Sequence, residues 1–214
     1  MKTIAIFTHD PECSDDCCDG MIAALYPHYQ IRLFDETEFT KKTFEGVDLV
    51  AFGGGIGDAD RYYDFFKRRE GNLVAQFVEG GGRYLGICMG AYWADRNYFD
   101  ILDGITAHQY IKRPESDIRR SYATVAKINW LGIPQEMFFY DGPTFQGEGS
   151  TQVIARYSNG DPMAIRQGRI GLIGCHPESE EKWYKQYKYL NKKWHNGYHH
   201  AILLDFVNSL MEAN

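Results

Sequence analysis

The sequence has little that would place the protein in a membrane or on a nucleic acid. Its opening segment, Met1–Thr8, is apolar for only a few residues, too short for the core of a signal peptide or for a membrane helix. Basic residues are outnumbered by acidic ones, and the net charge is −6. This balance argues against a sequence-independent grip on nucleic acid phosphates or on an anionic membrane. We therefore expect a cytoplasmic protein.

The sequence also lacks the cysteine spacing of a zinc site. Three of the five cysteines, Cys13, Cys17 and Cys18, crowd one acidic loop, but they form no C-x-x-C pair. We interpret them as ordinary reduced thiols. Another group of candidate ligands lies near the C-terminus: His195, His199 and His200. That group has no cysteine or carboxylate beside it and is expected to be solvated, so neither a metal nor a cofactor is predicted.

No repeat, linker or low-complexity segment divides the 214 residues, and we expect one domain, 1–214. Short continuous apolar runs alternate with helical patterns, which predicts a three-layer α/β sandwich with a mostly parallel central sheet. Strands are expected at 3–8, 29–34, 48–52, 83–87, 122–130, 136–140, 153–157, 162–166 and 169–174, and helices at 16–26, 60–69, 72–79, 181–193 and 198–211.

The middle of the chain is harder to interpret. Segment 97–111 is aromatic and apolar with scattered turns, and it is expected to add short strands to the same sheet. Segment 112–120 is charged and contains a proline, which favours a surface loop. Its Arg113, Arg119 and Arg120 are either solvated or contact a partner or an acidic ligand.

A glycine-rich turn marks the first candidate catalytic residue. Gly86-Ile-Cys88-Met-Gly90 follows a short β-prone run and has the G-x-nucleophile-x-G form of a strand-to-helix elbow. The glycines are required because the turn brings backbone close to the strand and the helix, leaving no room for a Cβ. A cysteine at a helix N-terminus favours the thiolate form, so Cys88 is a candidate nucleophile. The alternative is a small buried cysteine at a tight turn.

A second motif supplies a base. Residues 169–174 form a buried-strand pattern that ends in His176-Pro177-Glu178. Residues i and i+2 of an extended chain point the same way, so His176 and Glu178 could both reach the edge of the sheet where Cys88 emerges. A histidine oriented by a carboxylate is the partner that a thiol nucleophile requires. The two motifs together predict a Cys88/His176/Glu178 triad.

At this point the chain resembles the class I glutamine amidotransferases, and within them the amidotransferase-like domain at the N-terminus of biotin-protein ligases, with its stand-alone relatives. The residues that carry the likeness are Gly53–Gly55, Gly82–Trp93, Phe139–Pro143, Val153–Tyr157 and Gly171–Glu178. The resemblance runs from the first strand to about Ser179 and implies a flavodoxin-like, class I amidotransferase-like fold.

The resemblance also implies roles for further residues. The glycine run 53–57 lacks the Lys-Ser/Thr ending of a phosphate-binding loop, and its counterpart in the family offers a backbone N–H to an oxyanion. That role falls on Gly54 or Gly55, with the N–H of Met89 as the second donor. Tyr140 and Asp141 match a segment that lines the family's pocket.

The sequence departs from the family at one position. Glutamine amidotransferases usually carry Gln four residues after the nucleophile, where it helps to hold the substrate glutamine, and here that residue is Tyr92. The leading hypothesis is a cysteine-dependent enzyme that hydrolyses a small amide, glutamine or a related one, and passes ammonia to a partner synthetase. Its rival is a non-catalytic regulatory or binding module that kept the fold and the pocket. A peptidase of the same fold is a third alternative.

Overall fold

Five strands of the main sheet run parallel. The computed structural model describes residues 1–66 and 72–212 of the chain. In spatial order the parallel strands are β2 (Gln30–Phe34), β1 (Thr3–Phe7), β3 (Leu49–Phe52), β4 (Arg83–Ile87) and β11 (Ile170–Ile173). β1, β3 and β11 are short, mostly apolar runs that are buried along their whole length, as expected for strands covered on both faces, whereas the edge strand β2 is largely exposed.

The other four strands of the sheet are antiparallel. Beyond β11 the order continues with β10 (Pro162–Gln167), β9 (Gln152–Tyr157), β6 (Thr124–Trp130) and β7 (Ile133–Phe139). β11 joins the two halves, because it pairs in parallel with β4 and antiparallel with β10. The predicted α/β fold is confirmed, with a nine-stranded mixed sheet of which the parallel part comprises five strands.

Helices cover both faces of the sheet. They are α1 (Asp15–Leu25), α2 (Tyr62–Phe65), α3 (Leu73–Glu79), α4 (Met89–Trp93), α5 (Glu181–Lys185) and α6 (Tyr198–Met211), with single 3-10 turns at Lys41–Phe44, Ala59–Arg61 and Tyr110–Lys112. Alternate residues of β1 face opposite sides: Ile4 and Ile6 pack with α1 and α6, whereas Ala5 and Phe7 pack with α2, α3 and α4. This arrangement gives the predicted three layers. No helix of the described chain is long and apolar enough to cross a membrane.

The prediction for segment 97–111 was wrong. Its strand, β5 (Ile105–Gln109), pairs with β8 (Pro143–Gly147) in a separate two-stranded sheet and does not extend the main one. β8 begins at Pro143, directly after the predicted pocket residues Tyr140 and Asp141. Apolar and aromatic composition indicates a strand, but it carries no information about a partner that is far away in the sequence.

Two predicted helices are shorter in the structure. The helix expected over 181–193 ends at Lys185, and the chain continues in tight turns with hydrogen bonds from Leu190 N–H to Tyr187 O and from Lys193 N–H to Leu190 O. Through these turns Leu190 reaches a buried cluster that also contains Trp183. The helix expected over 60–69 is a 3-10 turn followed by α2, and residues 67–69 lie outside the described part of the chain.

Candidate active site

Cys88 occupies a strained turn between β4 and α4. Its backbone has φ 50° and ψ −103°, a conformation that costs free energy for a residue with a side chain. A Cβ on Gly86 would lie 2.5 Å from the carbonyl oxygen of Gly90, and a Cβ on Gly90 would lie 2.0 Å from that of Phe52. Both flanking glycines are therefore required by close backbone contacts. The turn places Cys88 at the carboxyl end of β4, the edge at which open α/β sheets bind ligands.

His176 and Glu178 reach the same edge from the neighbouring strand. β11 pairs with β4 so that Ile173 lies opposite Ile87, and His176 follows shortly after the end of β11. The Nδ1 of His176 lies 2.8 Å from Oε1 of Glu178, and the Glu178 side chain is completely buried. The carboxylate therefore holds the imidazole in a fixed orientation and leaves its Nε2 for another partner.

Cys88 and His176 lie next to each other, on either side of Gly54. A Cβ on Gly54 would lie 2.4 Å from Cε1 of His176 and 2.9 Å from the Cβ of Cys88, so only glycine fits there. Burial alone lowers the pKa of His176, but the Glu178 carboxylate and the nearby thiols of Cys88 and Cys17 more than offset it. The pKa of His176 consequently stands well above its ordinary value, which favours an imidazolium next to the thiol.

Sequence reasoning missed Cys17. This residue belongs to α1 and not to a loop, and its side chain is buried next to His176. The Sγ of Cys17, a ring nitrogen of His176 and a carboxylate oxygen of Glu178 all lie within 4.8 Å of one another, so these three side chains could hold a metal ion. The pair of His176 and Glu178 is already joined by a hydrogen bond. No local pattern in the sequence connects α1 to this position.

A cavity of about 620 Å³ opens at Cys88. Its size is in the range of small-molecule sites. Several residues singled out from the sequence line it: Gly55, Cys88, Met89, Tyr92, Tyr140 and Asp141. In the described part of the chain, the N–H groups of Gly55 and Met89 find no acceptor. The N–H of Gly54 finds no acceptor among the described residues either, but Gly54 does not line this cavity, so Gly55 and Met89 are the donors nearest to a ligand there.

Asp141 is held in place on the cavity wall. Its Oδ2 accepts hydrogen bonds from Gln109 Nε2 at 3.0 Å and from Ser121 Oγ at 2.6 Å. The hydroxyl of Tyr92 donates to the main-chain oxygen of Asp141 at 3.1 Å. Burial, followed by the nearby Asp141 and Cys88, raises the pKa of Tyr92 well above its ordinary value, so it remains a neutral phenol. Gln109 and Ser121 carry no sequence signal, because they come from separate segments of the chain.

A second, smaller cavity of about 130 Å³ touches His176 and Cys17. Aromatic residues from α5 and the turns after it, including Trp183 and Tyr187, form part of its wall. Gly55, Ile56 and Tyr140 line both cavities. The imidazole therefore borders one cavity and the Cys88 thiol borders the other.

The C-terminal histidines are packed against the site, and the expectation that they are solvated was wrong. His199 is almost fully buried, and His195 lies over it with ring centres 4.0 Å apart. The Nε2 of His200 lies 3.1 Å from the main-chain oxygens of Glu178 and Ser179. The start of α6 therefore supports the backbone that carries Glu178.

The three arginines of the surface loop are engaged elsewhere. Arg113 forms an ion pair with Asp161 at 2.9 Å. Arg119 donates to the main-chain oxygen of Arg113, and the guanidinium of Arg120 lies over the ring of Tyr122. None of them lines the cavity at Cys88.

Comparison with known proteins supports the resemblance found in the sequence. Residues 8–103 match the protein family described as "Biotin-protein ligase, N terminal". No curated protein sequence matches the chain.

Solved structures share the fold across almost the whole chain. A glutamine amidotransferase from Thermotoga maritima is 13% identical, with a TM-score of 0.73 and 99% of each chain covered. PurLQS from the same organism is also 13% identical, with a TM-score of 0.63 and coverage of 98% of this chain and 99% of that one. A glutamine amidotransferase from Methylobacillus flagellatus is 14% identical, with a TM-score of 0.55 and coverage of 86% and 73%.

Proposed function

We propose that this chain, which has the class I glutamine amidotransferase-like fold and resembles the N-terminal part of biotin-protein ligases, is a cysteine-dependent hydrolase of small amides. One observation carries the proposal. Cys88, in a strained turn at the edge of the sheet, lies beside a histidine that is itself hydrogen-bonded to a fully buried carboxylate. A non-catalytic protein would not require a thiol, an imidazole and a carboxylate side by side.

The roles follow from the contacts. Cys88 is the nucleophile, His176 moves the proton, and Glu178 orients the imidazole and stabilises its charged form. The N–H groups of Gly55 and Met89, which lack acceptors in the described chain, would bind the oxygen of the tetrahedral intermediate. Tyr92, Tyr140 and Asp141 form the wall against which the substrate lies.

The reaction has two steps. The Cys88 sulfur attacks the amide carbon, the C–N bond breaks, and His176 gives its proton to the departing nitrogen, leaving a thioester and ammonia or an amine. Water then attacks the thioester carbon and transfers its proton to His176. The C–S bond breaks, the acid leaves, and the thiolate–imidazolium pair is restored. In glutamine amidotransferases the ammonia is used by a synthetase, and we include such a partner in the proposal.

Ammonia release from a panel of small primary amides tests the proposal. The wild type should hydrolyse at least one amide, Cys88→Ala should hydrolyse none, and Glu178→Gln should be slower by about a hundredfold or more. Cys18→Ala is the matched control, because Cys18 lies on α1 and does not line the cavity.

Two results would contradict the proposal. One is amide hydrolysis that survives in Cys88→Ala. The other is the absence of Cys88-dependent turnover of any amide or ester, even with a candidate synthetase added, which would favour the regulatory or binding module.

A further inference from the structure

We propose that the preferred substrate is an N-substituted amide, and that its leaving amine carries one aromatic ring that lies in the smaller cavity beside His176. The inference rests on the proposed function, since it names the leaving group of that reaction. It also gives a role to a cavity that the catalytic contacts leave without one.

The two reacting side chains border different cavities. Cys88 lines the cavity of about 620 Å³ and not the smaller one, whereas His176 lines the cavity of about 130 Å³ and not the larger one. Gly55, whose N–H has no acceptor in the described chain, lines both. A carbonyl oxygen bound by that N–H therefore lies where the two cavities meet.

The path of the proton decides which half of the substrate enters which cavity. The sulfur of Cys88 attacks the carbonyl carbon from the larger cavity, so the acyl group lies there. His176 gives its proton to the leaving nitrogen, which must come within hydrogen-bond reach of the imidazole. A substituent on that nitrogen consequently extends into the smaller cavity, whereas ammonia would leave this cavity empty.

The smaller cavity has the size and the surface to take one ring. An apolar cavity of about 150 Å³ is large enough to hold benzene. The ring of Trp183 lies edge-on to Phe138 and to His176, with ring centres 5.2 Å and 5.6 Å apart. Further apolar and aromatic residues of the wall are Ile56, Ala123, Tyr140 and Tyr187. A ring placed among them would gain edge-to-face or stacked contacts in addition to its burial.

Charge is nearly absent from this cavity. Asp16 is the one carboxylate on the wall that the described residues form, and it is exposed and paired with Lys182 at 2.6 Å. Gln186 is exposed as well. An uncharged ring is therefore favoured over an amine that carries a second charged group, because such a group would find no free partner there.

Four amides test the inference. N-benzylbutanamide carries a ring on its amine, its isomer 5-phenylpentanamide carries the same ring on its acyl group, butanamide has no ring, and N-(1-naphthylmethyl)butanamide has two fused rings. Acid formation by the wild type, followed by liquid chromatography, gives kcat/KM for each. Benzylamine and ammonia are similarly basic, so their comparison reports on the ring.

We expect N-benzylbutanamide to exceed butanamide by about tenfold, the effect of burying one ring, and to exceed its isomer as well. The naphthyl compound should lose this advantage, because two fused rings are too large for the cavity.

Tyr187→Ala removes one ring from the wall of the smaller cavity. It should reduce the advantage of N-benzylbutanamide over butanamide to about threefold or less, and leave the ratio of 5-phenylpentanamide to butanamide unchanged. The matched control is Tyr26→Ala, which removes an exposed ring that lines neither cavity. Each ratio compares two substrates on one protein, so a loss of folded enzyme cancels.

Calorimetric titration of Cys88→Ser with the same amides measures affinity without turnover. Tighter binding of N-benzylbutanamide than of its isomer, weakened by adding Tyr187→Ala, would uphold the aromatic site even if the wild type hydrolysed no amide, which would overturn the proposed function. Cys88-dependent turnover in which butanamide matches N-benzylbutanamide would do the opposite, and the cavity would then be an exit for ammonia. A preference that Tyr187→Ala leaves undiminished also overturns the inference, and the absence of both turnover and binding overturns both proposals.

Discussion

Cys88 differs from the other four cysteines in the surroundings of its sulfur. It borders the large cavity and lies beside His176, whose raised pKa favours an imidazolium. Burial raises the pKa of the other thiols, and that of Cys18 reaches about 12. These thiols are Cys13, Cys17, Cys18 and Cys175.

We therefore expect brief treatment with limiting iodoacetamide near neutral pH to label Cys88 first. Peptide mass spectrometry of the native protein measures the order of labelling, and the urea-unfolded protein, in which the five thiols should react at similar rates, is the control. If Cys88 were the slowest cysteine of the native protein, its assignment as an activated thiol would be wrong.

The residues of the site divide into those that local sequence can predict and those that it cannot. Cys88 and His176 lie in short motifs that contain the residues they depend on. Gly86 and Gly90 permit the turn at Cys88, and Glu178 hydrogen-bonds His176. Cys17 and Gln109 are marked by nothing nearby, because their contacts are made across the fold from other segments. Sequence alone therefore predicts the candidate chemistry better than the shape of the cavity.

Replacement of Gly90 should cost the protein stability. A Cβ there would lie 2.0 Å from the main-chain oxygen of Phe52, and main chain moves less readily than a flexible side chain. We expect Gly90→Ala to lower the free energy of unfolding by about 3 kcal/mol or more, at or above the upper end of overpacking penalties. Urea denaturation followed by circular dichroism measures the change.

Gly80→Ala is the control for that experiment. Its new Cβ would come no closer than 3.2 Å to another atom, so its free energy of unfolding should change little. A Gly90→Ala protein as stable as this control would show that the turn at Cys88 can relax.

At the scale of elements, the start of α6 makes stability depend on pH. Burial, followed by the charge of neighbouring histidines, lowers the pKa of His199 from 6.5 to about 4 and that of His195 to about 3. Below pH 6.5 these two histidines take up protons in the unfolded chain but stay neutral in the folded chain, so the stability that they contribute above pH 6.5 is lost as the pH falls towards 4.

We expect the urea midpoint of the wild type to fall between pH 7 and pH 4.5, and to fall less steeply in His199→Leu. Thermal melts at the same pH values provide a second measurement. Identical pH slopes for the two proteins would show that His199 is not kept neutral by the fold.

Elements were predictable where a local pattern defined them, and less so where distant contacts did. The apolar runs of β1, β3 and β11 indicate buried strands by themselves. The partner of β5 and the end of α5 at Lys185 depend on contacts with β8 and with an aromatic cluster, and no single segment contains that information.

At the scale of the whole molecule, the charge of the cavity bears on glutamine itself. Free glutamine carries an ammonium, which the three aspartates of the described cavity wall could attract, and a carboxylate, for which that wall offers no cation. An unpaired buried charge costs several kcal/mol, so we expect glutamine to be hydrolysed poorly by the isolated chain.

Ammonia release from glutamine, compared between the wild type and Cys88→Ala, measures this activity. A good neutral amide from the same panel is the positive control. Rapid Cys88-dependent hydrolysis of glutamine would mean that a residue outside the described cavity wall pairs with its carboxylate.

The pairing of β4 with β11 fixes the distance between thiol and base. Ile173 lies opposite Ile87, and the N–H of Cys88 donates to the oxygen of Ile173 at 2.9 Å. One residue advances a strand by about 3.3 Å, and successive residues face opposite sides of a sheet. A slip of one residue between these strands would therefore separate His176 from the sulfur by more than a hydrogen-bond length. The register between β4 and β11 therefore controls the geometry of the candidate active site. A change in that register would inactivate the Cys88 thiol even if no side chain of the cavity were replaced.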